Sequence, residues 1–188
     1  MSDPLILGFD TSAAHCAAAL LSGDRCLVRR GEEMGRGQAE RLMPLLEEVL
    51  AAAGAEWRDL ERIGVGIGPG NFTGIRISVA AARGLALALD IPAIGVSTLD
   101  ATDGTCPIVP APREQVYLRG ADGAIALVPR DTALGDATYP PPPDALAEAI
   151  ARRARLLLAP GPSPAPLYVR PADAAPAREA PPRILDDA

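Results

Sequence analysis

At 188 residues, 48 % of them hydrophobic and 22 % charged, the chain is long enough for one compact core or two small lobes and has a soluble globular composition. A net charge of −6 and a pI near 4.8 leave no surplus of cations to neutralise a run of phosphates, which disfavours strong nucleic-acid binding by this chain alone. All 18 basic residues are Arg, so a lysine Schiff base and a P-loop lysine are excluded, and dispersed Cys16, Cys26 and Cys106 with a single His exclude a zinc site.

In chain order, residues 4–10 read as a buried strand ending in Asp10. Residues 15–21 and 25–30 read as two more strands around a turn at Ser22-Gly23-Asp24. From Gln38 to Ala53 the apolar residues Leu42, Leu45, Leu46, Val49, Leu50 and Ala53 recur at helical spacing, and Gly54 ends the helix. Pro44 is expected to kink this helix or mark its first turn. A strand over 62–67 leads into Gly68-Pro69-Gly70-Asn71-Phe72-Thr73-Gly74, then a helix capped by Thr73 runs to about Leu89, and Ile91 to Val96 forms a fifth strand. This order predicts a mixed sheet flanked by helices.

Composition shifts near residue 105. Of 20 prolines, Pro4, Pro44, Pro69 and Pro92 precede it and the other 16 follow. Val116–Leu118 and Ile125–Val128 are expected to pair as a hairpin. A helix is expected from Asp144 to about Leu157, and a strand at Leu167-Tyr168-Val169. The domain reading is 1–103 as the first lobe, 104–170 as a reduced second lobe and 171–188 as a disordered tail. Unpaired thiols, a start at Met1-Ser2-Asp3-Pro4 without signal-peptide features, and no long apolar run predict a cytoplasmic protein without a membrane partner.

Asp10-Thr11-Ser12 ends a buried strand with a carboxylate followed by hydroxyls, the arrangement that holds a phosphate and its magnesium ion in actin-like kinases, or else an ordinary polar turn. The glycine loop at 68–74 allows close backbone approach and aims unpaired N–H groups forward, so it is an anion or partner contact or a structural turn. Ile75 stands where a P-loop needs Lys. Small residues on the following helix, through Ser78, Ala81 and Ala82, suit tight internal packing or a flat docking surface. His15 reads as structural rather than as a base for a nucleophile, and Arg152, Arg153 and Arg155 as a solvated helix face.

Several segments together resemble one family. Ile6-Leu7-Gly8-Phe9-Asp10-Thr11-Ser12, Glu40-Arg41-Leu42-Met43-Pro44, Gly66-Ile67-Gly68-Pro69-Gly70-Asn71-Phe72-Thr73-Gly74-Ile75-Arg76, Ala82-Arg83-Gly84-Leu85-Ala86 and Pro166-Leu167-Tyr168-Val169-Arg170 are similar to the TsaB family. The resemblance is dense over 5–102 and sparse afterwards. It implies an α/β acetate-kinase/actin-like fold of RNase H-like lobes, the second one reduced here. It implies a non-catalytic subunit that dimerises with a TsaD-type paralogue, supporting formation of N6-threonylcarbamoyladenosine on the tRNA adenosine next to the anticodon. A TsaE-type ATPase joins the pair and tRNA is met only through the complex; for the chain alone, monomer and homodimer both stay open.

No cofactor is expected on this chain itself; ATP and a metal are used by partner subunits. In the TsaD-type paralogue a G-V-H-H-L-E-x-H segment supplies metal ligands, and the matching Gly95–Thr102 stretch here places Thr98 and Thr102 at those positions. The residues implied as partner interface or anion loop are Gly68, Pro69, Gly70, Asn71, Phe72, Thr73, Gly74, Arg76, Ser78, Ala81 and Ala82, with Asp10, Thr11 and Ser12 as a vestigial phosphate turn. Two departures stand out: Pro110-Ala111-Pro112-Arg113-Glu114-Gln115-Val116-Tyr117 lacks the acid the family has before this strand, and the chain is short. The rival expectations are a small kinase or ATPase using Asp10 and the glycine loop, and a direct tRNA binder, which the charge disfavours.

Overall fold

Apolar runs with few polar interruptions build strands covered on both faces, and the first half of the chain does this. A computed structural model describes residues 3–132, 135–157 and 161–169. Strands β1 (Leu5–Asp10), β2 (His15–Ser22), β3 (Arg25–Glu33), β4 (Leu60–Gly66) and β5 (Ala93–Val96) form a sheet in the order β3-β2-β1-β4-β5. β1, β2 and β3 pair antiparallel, whereas β1–β4 and β4–β5 pair parallel. The parallel pairs require crossovers, supplied by helices α1 (Gln38–Ala52) and α2 (Phe72–Leu89). At the edge, β3 carries Arg25, Arg29, Arg30, Glu32 and Glu33, charges that discourage another strand from adding there.

One face of the sheet presents Leu7, Phe9, Ala18, Leu20, Ile63 and Val65 to Leu42, Leu45, Leu46, Val49 and Leu50 of α1 and to Ala82 of α2. The opposite face is built from small residues, among them Gly8, Ala17, Ala19 and Gly64. Against it lies α3 (Pro143–Leu156), whose Ala147, Ala151, Ala154, Leu146 and Ile150 are buried. This close approach depends on missing side chains: a Cβ on Gly64 would stand 2.8 Å from Ala154 Cβ. Arg62 on β4 fixes the far end of α3, its Nη1 donating to the carbonyls of Ala154 at 2.7 Å and Leu157 at 2.8 Å. The helix that the proline-rich half contributes is thus a layer of the first sheet, not part of a separate one.

The remaining strands, β6 (Cys106–Ala111), β7 (Gln115–Arg119), β8 (Ile125–Pro129) and β9 (Ala137–Thr138), form a second sheet in the order β8-β7-β6-β9 around Ile108 and Val116. The expected hairpin is β7–β8. β6 was hidden by Pro107 and Pro110, which count against a strand because each lacks a ladder donor.

Three local expectations change. The cap of α2 is Asn71, whose side chain accepts from the Gly74 N–H at 2.9 Å, so the helix starts before Thr73. Pro44 lies beyond the first turn of α1, not in it, and the Glu40 carbonyl it deprives of a donor belongs to an exposed turn open to water. Leu167–Val169 is not a strand; its backbone is held by a bond from the Leu167 N–H to the Ile67 carbonyl at 2.9 Å. The expected tail, 171–188, lies outside the described residues.

Candidate functional site

β1 delivers Asp10 to the end of the first sheet, where it is fully buried. Its Oδ2 accepts from the Ser12 N–H and the Ser12 hydroxyl, both at 2.9 Å, and lies 2.6 Å from His15 Nε2. Its Oδ1 is buried and has no hydrogen-bond partner among the described residues. The glycine loop closes over this turn. Thr11 Oγ1 donates to the Gly74 carbonyl at 2.7 Å, and the Asn71 N–H donates to the Ser12 carbonyl at 2.6 Å.

Glycine is a steric requirement here: a Cβ on Gly66, Gly70 or Gly74 would fall onto Asp10 Oδ1, the Ser12 carbonyl or the Thr11 carbonyl. The two features that the sequence offers separately, turn and loop, are therefore one interlocked unit. The N–H groups of Asn71 and Gly74 are committed to Ser12 and to the Asn71 side chain. Gly68, at φ 95°, accepts from the Thr98 N–H at 2.8 Å and so ties the loop to the turn after β5.

Thr98 and Thr102 are both buried, and Thr102 Oγ1 donates to the Thr98 carbonyl at 2.7 Å. Among the described residues no three His, Cys, Asp or Glu side chains group as metal ligands. Cys16 sits in β2, where burial, and then the Glu32 carboxylate, push its thiol up to about 11, so it stays protonated and unreactive.

Between this unit and the second sheet opens a cleft of about 600 Å³. Ser12, His15 and Thr98 are among its polar lining, and Pro69, Gly70, Asn71 and Phe72 bring the glycine loop to its wall.

The outer side of α2 is a second candidate surface, and it corrects the residue choice made from sequence. Ala82 and Ser78 are fully buried, Ser78 Oγ donating to the Gly66 carbonyl at 3.1 Å, and Ala81 packs partly against the core. The residues that face outward are Thr73, Ala80, Arg83, Gly84, Leu87 and Ala88, with Leu87 86 % exposed. Arg76 is also exposed, but its guanidinium lies 4.0 Å over the Phe72 ring and donates to the Tyr168 hydroxyl at 2.9 Å. Phe72 and Tyr168 stack at 4.7 Å.

With 18 residues and a mean hydropathy of 1.4, α2 is long and apolar enough to cross a membrane, yet its inner side is built into the core through Ile75, Val79 and Ala82. Sequence reasoning missed Leu87 because a leucine in a helix reads as core by default. It also missed the Asp10–His15 contact, whose signal was the five-residue spacing across a tight turn.

A first strand ending in a carboxylate, a mixed five-stranded sheet with helices on both faces and a glycine loop beside the first turn define an acetate-kinase/actin-like α/β fold. Known proteins share it. The family model described as TsaD, tRNA N6-adenosine threonylcarbamoyltransferase, matches residues 31–168. The tRNA threonylcarbamoyladenosine biosynthesis protein TsaB of Escherichia coli is 38 % identical over 94 residues, covering 50 % of this chain and 40 % of that protein.

The structure described as YeaZ from Pseudomonas aeruginosa aligns with a TM-score of 0.57 at 30 % identity, over 73 % of this chain and 68 % of that one. A crystal structure of an uncharacterized protein with similarity to peptidase YeaZ from Pseudomonas aeruginosa aligns with a TM-score of 0.68 at 24 % identity, over 89 % of this chain and all of that one, and bears on the fold alone. The chain belongs to the TsaB family of the TsaD-like superfamily. It spans less than half the length of the first curated relatives, 40 %, 46 % and 42 %.

Proposed function

We propose that this chain is a non-catalytic subunit of the machinery that makes N6-threonylcarbamoyladenosine in tRNA, and that it binds a TsaD-type transferase through the outer side of α2 and the neighbouring α1. The observation that carries this reading is the exposure of Leu87, at 86 %, beside Gly84 and Ala88 on a helix whose opposite side is buried in the core. An isolated exposed leucine is common, but this one stands on a smooth ridge of small residues that another helix can approach closely. Met43, 38 % exposed, adds apolar surface on α1.

The non-catalytic part is supported by the sealed Asp10 carboxylate and by Thr98 and Thr102 where a metal-binding paralogue carries imidazoles. On this reading the phosphate turn is vestigial. The chain holds no cofactor of its own, and partner subunits bring the ATP and metal. A TsaE-type ATPase joins the pair, the adenosine beside the anticodon is reached only through the complex, and the assembly works in the cytoplasm.

The test is light scattering on a sizing column, with the chain alone and mixed with the TsaD-type protein of the same organism. The mixture is expected to elute as one species with the mass of a heterodimer. Leu87→Arg should restore two separate peaks while leaving the chain's melting temperature unchanged, because that side chain lies outside the core. Losing a buried leucine contact costs about 2 kcal/mol before any charge is buried. Separate elution of the wild-type proteins, with and without ATP and tRNA, overturns the proposal.

A further inference from the structure

The second sheet ends on β8, and the register of its hairpin fixes which backbone groups that strand turns away from β7. In an antiparallel pair, bonded and non-bonded residue pairs alternate. The Gly120 N–H donates to the Ala124 carbonyl and the Arg130 N–H to the Glu114 carbonyl, both at 2.8 Å. Leu118 stands opposite Ala126 and Val116 opposite Val128, so Ala126 and Val128 turn their N–H and C=O groups to β7. Ile125, Leu127 and Pro129 turn theirs to the outer edge, where no backbone partner lies among the described residues. Pro129, which has no N–H to give a ladder, occupies one of these outward positions.

Outer strands elsewhere in the chain carry a device against pairing: β3 its charges, β9 its length of 2 residues. β8 reads Ile-Ala-Leu-Val-Pro and has no charge along it. An uncharged edge of free donors and acceptors is a template for another strand, and the pattern of this one is self-complementary. Set two copies antiparallel about a two-fold axis at Leu127, and Leu127 faces Leu127 while Ile125 faces Pro129. The two Leu127 residues exchange N–H and carbonyl, and each Ile125 N–H donates to the Pro129 carbonyl of the other copy. No outward donor is left over, and the proline falls where only its carbonyl is used. The same register sets Arg130 of one copy opposite Ala124 of the other, diagonal to Asp122, so the flanking charges that approach are unlike.

We propose that β8 is a self-association edge, through which two copies of this chain join their second sheets into one continuous antiparallel sheet. β8 belongs to the second sheet and α2 packs on the first, so the contact is separate from the outer side of α2. An edge of 5 residues offers less than a standard interface of about 1,600 Å², so the dimer is weak and forms at high protein concentration.

The test is sedimentation equilibrium of the full chain, without any partner protein, from about 10 μM to about 1 mM, with amide hydrogen exchange at both ends of that range. The mass is expected to rise toward that of two copies. Exchange at Ile125 and Leu127 should slow roughly tenfold over the same range, while Ala126 and Val128 stay protected throughout. Leu127→Pro removes an outward N–H and leaves the ladder to β7 intact. Ala126→Lys touches no backbone group and sets two like charges near the axis, on an exposed position. Both variants are expected to stay monomeric, and Leu87→Arg to dimerise as the wild type does. The proposal falls if the mass stays that of one chain, or if both edge variants dimerise unchanged. It falls equally if Ile125 and Leu127 exchange slowly in the dilute monomer, since the chain itself would then cover the edge. Loss of the dimer in Leu87→Arg alone would move the contact to α2 and overturn it too. Because the partner protein is absent, these outcomes leave the subunit proposal untouched.

Discussion

A Cβ added at Gly66 falls onto Asp10 Oδ1, whereas one added at Gly84 meets nothing within 4 Å. Gly66 keeps the buried carboxylate and the glycine loop in contact. Gly84 costs its helix stability with no internal reason, because a glycine in a helix interior is about 1 kcal/mol less favourable than alanine. Urea denaturation should therefore separate them: Gly66→Ala is expected to lose about 3 kcal/mol or more by overpacking, and Gly84→Ala to gain about 1 kcal/mol. Equal losses at both positions would mean that Gly84 is held by contacts within the chain. The residue types at 10–15 were legible, a carboxylate, two hydroxyls and a lone imidazole. Their meeting in one buried cluster was not, since it is made by the fold of the turn and the loop that seals it.

At the scale of elements, Arg41 links α1 to β3. Its Nη2 lies 2.6 Å from Glu32 and its Nη1 2.7 Å from Glu48. Hydrogen bonds from Arg41 hold both carboxyls below the usual glutamate range. Groups lowered in the folded state add stability above their unfolded value, near pH 4.3, and lose it as pH falls through the folded one. All three side chains are partly open to water, so the effect is modest. Arg41→Met should melt below the wild type at neutral pH, and the gap should narrow by pH 3; a gap that stays constant would assign it to packing instead. Element type was legible wherever period and length agreed, as in α1, α2 and β1 to β5. It failed where a proline obscured the pattern in β6, and at Leu167–Val169, where β-prone residues are held by a bond to Ile67 rather than by a ladder.

At the scale of the molecule, α3 turns a one-sided sheet into a three-layer core. Its seat is the row of small residues on β1, β2 and β4, and Arg62 caps its end. Gly64→Val should push Ala154 and Ile150 away, lowering stability by about 1–3 kcal/mol. The added hydrogen exchange should concentrate in α3 and leave α1 protected. Uniform loss across both helices would show that α3 is not a separable layer.

By itself the sequence determined the strand and helix periods, the glycine loop, the absence of lysine and the family, because these rest on residue identity and short spacing. Only the tertiary structure decided that α3 belongs to the first sheet, that Asp10 is sealed against His15, that Leu87 rather than Ala82 faces outward on α2, and that the buried Thr98 hydroxyl has no hydrogen-bond partner among the described residues. The reason is range. Local chemistry sets how a segment repeats, but which side of it meets protein or water is set by residues far away in the chain, as when β4 holds the last turn of α3 through Arg62.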